Sequence, residues 1–327
     1  MLRYLRKRLL IYLVILFGVS IAVFVLMMSM PGDPYSWMLM DPNVDPAYVQ
    51  RKLDELGLND PIHIQYIKWL GRILHGDFGY ALEGQATLDL VSQALKNTLL
   101  LTIPAFLLST LFAVLLGIWS AMSASGNKIL DRLVTLGTFL EVSIPTFFLA
   151  LILIKWFGYD LKLLPVSGLK TLRVHYTGLR YVLDVAKHMI LPVFVLTLTQ
   201  TSGMLRYMRS AMIDILNQDY IRTAQAKGMT WRRAIWTHGL RNALISVITV
   251  FCMRLPGIIS GALFTETVFV WPGIGTLNYN SILNRDYAVI ITITMILAMV
   301  ILATNLLADI LYAVADPRIR LGGGAKE

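Results

Sequence analysis

Three ionisable residues stand where ionisable residues are costly. Arg254 lies near the middle of the apolar run 243–264, two residues ahead of Pro256. Glu141 lies within another apolar run, and Glu266 lies just past the end of the first. Charged groups in such surroundings pair with one another, or face a polar path or a partner. Pro256 removes a backbone donor, and broken helices at such depth are tolerated where they line a cavity. Arg254 therefore reads as one member of an internal ion pair, with Glu141 as candidate partner, or as a cation facing a path. Glu266, ahead of Trp271-Pro272-Gly273, reads as a structural cap or a gate residue and not as a catalytic acid.

Covalent and hydrolytic chemistry find no comparable support. The sequence contains no G-x-x-x-x-G-K-S/T phosphate loop, no H-E-x-x-H zinc pattern and no G-x-S-x-G elbow. His63, His75, His175, His188 and His238 share no ligand spacing on a common helix face. The single cysteine, Cys252, excludes a disulfide framework and any cysteine-based zinc or iron–sulfur site. No catalytic, cofactor-binding or metal-binding residue is assigned.

These residues must be positioned by membrane helices. The 327 residues are 56% hydrophobic and 15% charged, against about 25% charged for a soluble domain. A spanning helix needs about 20 mostly apolar residues. Six runs qualify: 9–30, 99–122, 133–157, 189–208, 243–264 and 287–314. The first follows Arg3, Arg6, Lys7 and Arg8 but is too long for a signal-peptide core, and Ser29-Met30-Pro31 is a poor cleavage site. It reads as a retained helix. Lys155 and Asp309 lie near span ends, and Asn305 with Asp309 offers a hydrogen bond across helices.

Charge sets the orientation. With six crossings and a cytoplasmic N-terminus, inside segments hold 16 of the 29 Lys and Arg residues and outside segments 11. Acids run the other way, so the net charge of +9 is a topological signal and implies no nucleic acid. The segment 158–188 resists the pattern, being outside and basic. Both termini are expected in the cytoplasm.

Two loops carry further information. In the outer segment 31–98, Asp45-Pro46 reads as a helix start, with Val49, Leu53 and Leu56 on one face and Gly57 as the stop. Asp60-Pro61 opens a second helix, with Ile64, Ile67, Leu70 and Leu74 on one face and Gly76 after it. This pair reads as a lid on the spans or a docking surface for an external partner. In the cytoplasmic segment 209–242, a helix breaks at Gly228 and Thr230 can cap a second. Tyr220, Ala224 and Gly228 fall one turn apart, a stripe that another backbone can approach closely.

At this point a resemblance emerges. Asp219-Tyr220-Ile221-Arg222-Thr223-Ala224-Gln225-Ala226-Lys227-Gly228, followed by Leu240-Arg241-Asn242-Ala243, resembles the coupling loop of ATP-binding-cassette importer permeases of the oligopeptide/dipeptide/nickel family. Pro31-Gly32-Asp33-Pro34, Leu56-Gly57-Leu58-Asn59-Asp60-Pro61, Gly76-Asp77-Phe78-Gly79 and Leu164-Pro165-Val166-Ser167-Gly168 agree in order. So do residues 266–275, Arg285-Asp286-Tyr287 and Asp316-Pro317-Arg318-Ile319-Arg320. The long first outer loop resembles the first of that family's two paired permease subunits. Arg222 replaces the glutamate of the general motif, Ser246 stands where proline is frequent, and Arg254 is outside the usual pattern.

The resemblance implies an all-α integral membrane protein, with one permease domain over 1–327 in a prokaryotic plasma (inner) membrane. It implies a transport subunit that is not itself an enzyme, carrying small peptides or, within the same family, nickel. Its implied partners are a second permease subunit, forming a heterodimer, two ATPase subunits that bind ATP and magnesium, an external substrate-binding protein, and membrane lipid. Asp219, Tyr220, Arg222, Thr223, Ala224, Lys227 and Gly228 become the expected ATPase-coupling residues. Arg254, Pro256, Glu266 and Glu141 become candidates for the translocation path or its gate, with Arg254 facing a peptide carboxylate. A secondary transporter acting alone would instead predict inverted repeats with matching broken helices, and a membrane enzyme would predict a catalytic cluster.

Overall fold

The computed structural model describes residues 2–29, 45–47, 60–124, 128–239, 247–248, 250–258 and 262–315. Outside them lie the expected helix around Val49, Leu53 and Leu56, the motif segments 31–34, 56–59, 240–243 and 316–320, and Ser246. The described residues form α1 (Leu2–Ser29), α2 (Ile62–Leu74), α3 (Thr87–Ala124), α4 (Lys128–Ser143), α5 (Thr146–Leu153) and α6 (Gly178–Leu216). After these come α7 (Asp219–Ala226), α8 (Trp231–Ala234), α9 (Leu263–Val268), α10 (Ile274–Leu283) and α11 (Tyr287–Ala315).

Four of these helices, α1, α3, α6 and α11, are long and apolar enough to cross a membrane. They correspond to the first, second, fourth and sixth apolar runs. The third run is not one helix. It breaks at Ile144-Pro145 between α4 and α5, and α5 continues as a π-helical turn over Ile154–Asp160. Pro145 lacks an N–H and drives the residue before it away from the α region. Its carbonyl then accepts the N–H groups of Phe148 and Leu149, at 3.0 and 3.1 Å, which opens α5. In the fifth run, helical residues 250–254 pass at Pro256 into a 3₁₀ turn, Leu255–Ile258.

The chain divides into two compact units, with borders inside α3, α10 and α11. The first comprises Met1–Leu95 with Leu277–Leu302. There α2 packs on α1 through an aromatic cluster. Phe24 lies 5.3 Å from Tyr66 and 5.5 Å from Trp69 between ring centroids, and the Ser20 and Tyr66 hydroxyls hydrogen-bond at 2.8 Å. The buried face is thus Tyr66, Trp69, Leu70 and Ile73, and Ile67 and Leu74 of the expected face are exposed. The rings bury more apolar area than the aliphatic residues they displace, and so set the rotation. Asp60-Pro61 opens α2 as expected, without a cap from the Asp60 side chain. Its carboxylate pairs with Lys68 at 2.5 Å, and Pro61 takes the capping position. Gly76 follows the helix as expected.

The motif around Asp286 has a structural task in the same unit. Asp286 accepts the N–H of Val289 in the first turn of α11, at 3.3 Å, and the N–H of Leu82, at 2.9 Å. Thr292 and Thr87 hydroxyls join α11 to α3 at 3.0 Å.

The second unit comprises Lys96–Thr276 with Ala303–Glu327. Its centre is α3 against α6, where Ala113, Ile118 and Ala121 meet Met204, Leu205 and Met208. Small residues on one helix admit long thioethers from the other, a packing mode suited to lipid. Higher on the same pair, Leu101 and Ala105 meet Val193, Leu196 and Trp271. The half-helix α5 adds Ala150 and Leu153 against Leu191 and Val195 of α6.

Candidate coupling segment and intramembrane polar sites

The segment after α6 folds as a short exposed helix with a defined stop. α7 begins after Gln218, whose backbone is extended, and it ends in a Schellman motif. The Met229 N–H reaches the Ala224 carbonyl at 3.2 Å, and the Gly228 N–H reaches Gln225 at 2.9 Å. Gly228 has φ of +88°, a conformation glycine adopts without penalty. Met229 packs on Ile221, Ala224 and Ala234, the contact that usually accompanies this stop. α8 follows directly after Thr230.

This arrangement sorts the expected coupling residues into two groups. Asp219, Tyr220, Arg222, Thr223, Lys227 and Gly228 are exposed. Ala224 is buried, with Ile221, against Ala234. The stripe of small residues read from the sequence is therefore divided. Ala224 admits the chain's own next helix, and a Cβ on Gly228 would meet nothing within 4 Å. The exposed ion pair Arg222–Asp219, at 4.0 Å, contributes little.

Glu266 sits at the opposite extreme of exposure, fully buried. One carboxylate oxygen accepts the Thr98 hydroxyl at 2.7 Å, and the other accepts the N–H groups of Gly275 at 2.7 Å and Thr276 at 3.2 Å. Thr98 in turn accepts the Ile274 N–H at 2.8 Å. Trp271 donates its indole N–H to the Asn97 carbonyl at 2.9 Å, and the Asn97 amide donates to the Pro272 carbonyl at 2.8 Å. A Cβ on Gly273 would overlap the Glu266 carboxylate. The turn between α9 and α10 is thus bonded to α3 through a closed polar network. Asn97 and Thr98 went unnoticed in the sequence because ordinary polar residues near a span end carry no signal of their partners.

Arg254 and Glu141 each bond to α6, and their opposite charges act on each other across a longer gap. The Arg254 guanidinium donates to the Gln200 carbonyl at 2.9 Å, and Glu141 accepts the Ser202 N–H at 3.1 Å. The expected direct ion pair is absent from the described residues. Each charge finds a backbone dipole first, at a turn of α6 built from Gln200, Thr201, Ser202 and Gly203. One guanidinium nitrogen, Nη1, is buried and has no hydrogen-bond partner. Pro256 lies two residues on, in the 3₁₀ turn.

Comparisons with known proteins agree along the whole chain. Residues 113–321 match the model of the family described as binding-protein-dependent transport system inner membrane component. Residues 1–102 match the model for the N-terminal part of such membrane components. The chain is 41% identical to the oligopeptide transport system permease protein AppB of Bacillus subtilis, over 97% of this chain and 98% of that protein. It is 35% identical to the di/tripeptide transport system permease protein DppB of Pseudomonas aeruginosa, over 98% of this chain and 99% of that one. In fold it is similar to a chain of the MetNI methionine ABC transporter in an inward-facing conformation. The TM-score is 0.55, with 16% identity, covering 70% of this chain and 97% of that one. A family match over most of the sequence, and full-length relatives well above 30% identity, lead to one conclusion: this chain belongs to the family of binding-protein-dependent transport system inner membrane components.

Proposed function

We propose that the chain forms half of the translocation path of an ATP-driven importer of small peptides, and that α7 is the element through which a separate ATPase moves it. The peptide cargo follows from the printed functions of its full-length relatives. The single observation that supports coupling is the form of α7: short, exposed on one face, stopped by a Schellman motif and braced on Ala234. Such an element moves as a rigid body and transmits force when a partner closes around it. Six crossings with both termini cytoplasmic, a second permease subunit, two ATPase subunits and an external binding protein complete the assembly.

Within that reading Arg254 lies on the path and offers its unbonded nitrogen to a substrate carboxylate. Glu266 holds the turn between α9 and α10 in place and handles no cargo. Uptake of labelled peptides by vesicles carrying the reconstituted complex tests the cargo. ATP-dependent peptide uptake is the expected result, and nickel uptake with no peptide uptake would overturn it. Orientation is tested by single cysteines in a Cys252→Ser background. A membrane-impermeant thiol reagent applied to intact cells should label position 54 and spare position 233, and the reverse pattern would overturn six crossings in this sense.

A further inference from the structure

The stripe Ile64, Ile67 and Leu74, which the sequence offers as a packed face of α2, has no protein to pack on. These side chains are 37%, 66% and 78% exposed. Tyr66, Trp69 and Ile73 take the protein side instead. A third edge, Gln65, Lys68, Arg72 and His75, repeats at spacings of three, four and three residues and is polar throughout. α2 thus has one face for the protein, one exposed apolar face and one polar face.

Depth decides what covers the apolar face. Arg8 closes the basic N-terminal cluster and marks one boundary of the hydrocarbon core along α1. A core of about 30 Å takes about 20 residues of helix, which puts the other boundary near Met28. Ser20 then lies about 12 Å inside that boundary, and Phe24 about 6 Å inside it. α2 packs along these residues. The Tyr66 hydroxyl bonds that of Ser20 at 2.8 Å, and the rings of Tyr66 and Trp69 lie 5.3 and 5.5 Å from that of Phe24. α11 gives the same depth. Trp69 shares a buried cluster with Ile291 and Met295, four and eight residues into the apolar run that begins at Tyr287. A lid above the membrane would meet only the ends of these spans, and its stripe would stand in water. Ile21 and Val25 of α1, at the depth of this contact, are exposed as the stripe is. The polar edge is compatible with that depth, because the stems of Lys68 and Arg72 carry their charges toward the headgroups.

We propose that α2 is an interfacial membrane helix, with Ile64, Ile67 and Leu74 immersed in the acyl chains of one leaflet and Gln65, Lys68, Arg72 and His75 facing its headgroups and water. The partner of the apolar face is a lipid surface and not an external protein. This placement is independent of the transport reading, and orientation decides only which leaflet receives the helix.

The test places spin labels one at a time, through Ile64→Cys, Ile67→Cys, Leu74→Cys, Lys68→Cys and His75→Cys in a Cys252→Ser background. Each full-length chain is reconstituted in vesicles of phosphatidylcholine and phosphatidylglycerol. Oxygen concentrates among acyl chains, and a water-soluble nickel chelate is excluded from them. Collisions with oxygen should exceed those with the chelate at positions 64, 67 and 74, and the order should reverse at 68 and 75. All five positions are exposed, so the labels displace no packed side chain. Should a labelled chain fail to insert, alkylation of the unlabelled cysteines by a membrane-impermeant reagent reads the same pattern, slow on the stripe and fast on the polar edge. An excess of chelate collisions at all five positions would put α2 in water and overturn the proposal. Exclusion of both reagents from the stripe would mean that protein covers it, and would overturn the proposal as well.

Discussion

Glu266 and Arg254 are both charged residues in apolar surroundings, yet their environments are opposites. Every oxygen of Glu266 is bonded, and the three donors come from two stretches of chain: Thr98, and the adjacent Gly275 and Thr276. Arg254 has one backbone carbonyl and leaves a buried nitrogen unmatched. A buried charge with all its bonds made within the chain fixes structure. A half-buried charge with a bond still to make is suited to a ligand or a moving partner. The two residues look alike in a sequence and should separate sharply under mutation.

The largest effect is expected at Glu266→Leu. It leaves the Thr98 hydroxyl and the Gly275 and Thr276 N–H groups without their acceptor. Each unmet buried group costs about 1–3 kcal/mol, so the summed loss is comparable with a whole domain's stability of about 5–15 kcal/mol. The variant should yield little folded protein in membranes, by melting in detergent. A Glu266→Leu chain with the original melting temperature and full uptake would erase the distinction between the two sites.

Gly273→Ala tests the same network from the other side, because the new methyl enters the space of the Glu266 carboxylate. Overpacking of this kind costs about 1–3 kcal/mol. The expected outcome is a lowered melting temperature with transport surviving in the molecules that fold. No shift in melting would mean that the turn relaxes freely and does not clamp Glu266.

Arg254→Met should behave in the contrary way. It loses the bond to Gln200 but also removes a desolvated charge and its unmatched nitrogen, and the two effects oppose each other. Melting and complex assembly should change little, with basal ATP hydrolysis retained, while uptake falls. A complex that fails to assemble would place Arg254 with Glu266 as a structural residue. Unchanged uptake would remove it from the path.

How far each site was legible follows from the kind of signal involved. α1, α3, α6 and α11 announce themselves by length and hydropathy, because lipid imposes both. The break at Pro145 was visible as a proline but was absorbed into an apolar run whose composition continued past it. The rotation of α2 was missed because the stripe Ile64, Ile67, Leu70 and Leu74 gives no measure of the larger area that Tyr66 and Trp69 bury. Gly228 could be read as a helix stop because its signal is local. The bonds of Glu266 to Thr98, and of Trp271 to Asn97, join residues more than 160 positions apart, and no local pattern encodes them.

A small and local effect on folding, and the one that bears most on function, is expected at α7. Gly228 and Gly273 differ as Arg254 and Glu266 do. Gly273 is required for space, whereas Gly228 has open space and is required for its φ of +88°. A side chain at Gly228 meets no atom of its own chain, so Gly228→Leu costs only the left-handed backbone penalty of about 1–2 kcal/mol. That penalty falls on the exposed end of a short helix, and the chain should still insert and melt nearly as before. What changes is the angle at which α7 leaves its stop and the room left for a partner's groove. Substrate-stimulated ATP hydrolysis and uptake by the reconstituted complex should therefore fall together. Lys227→Ala, which removes one exposed charge beside it, should be mild. A Gly228→Leu complex with full stimulated hydrolysis and full uptake would show that α7 couples to nothing, and would leave it as a braced but idle loop.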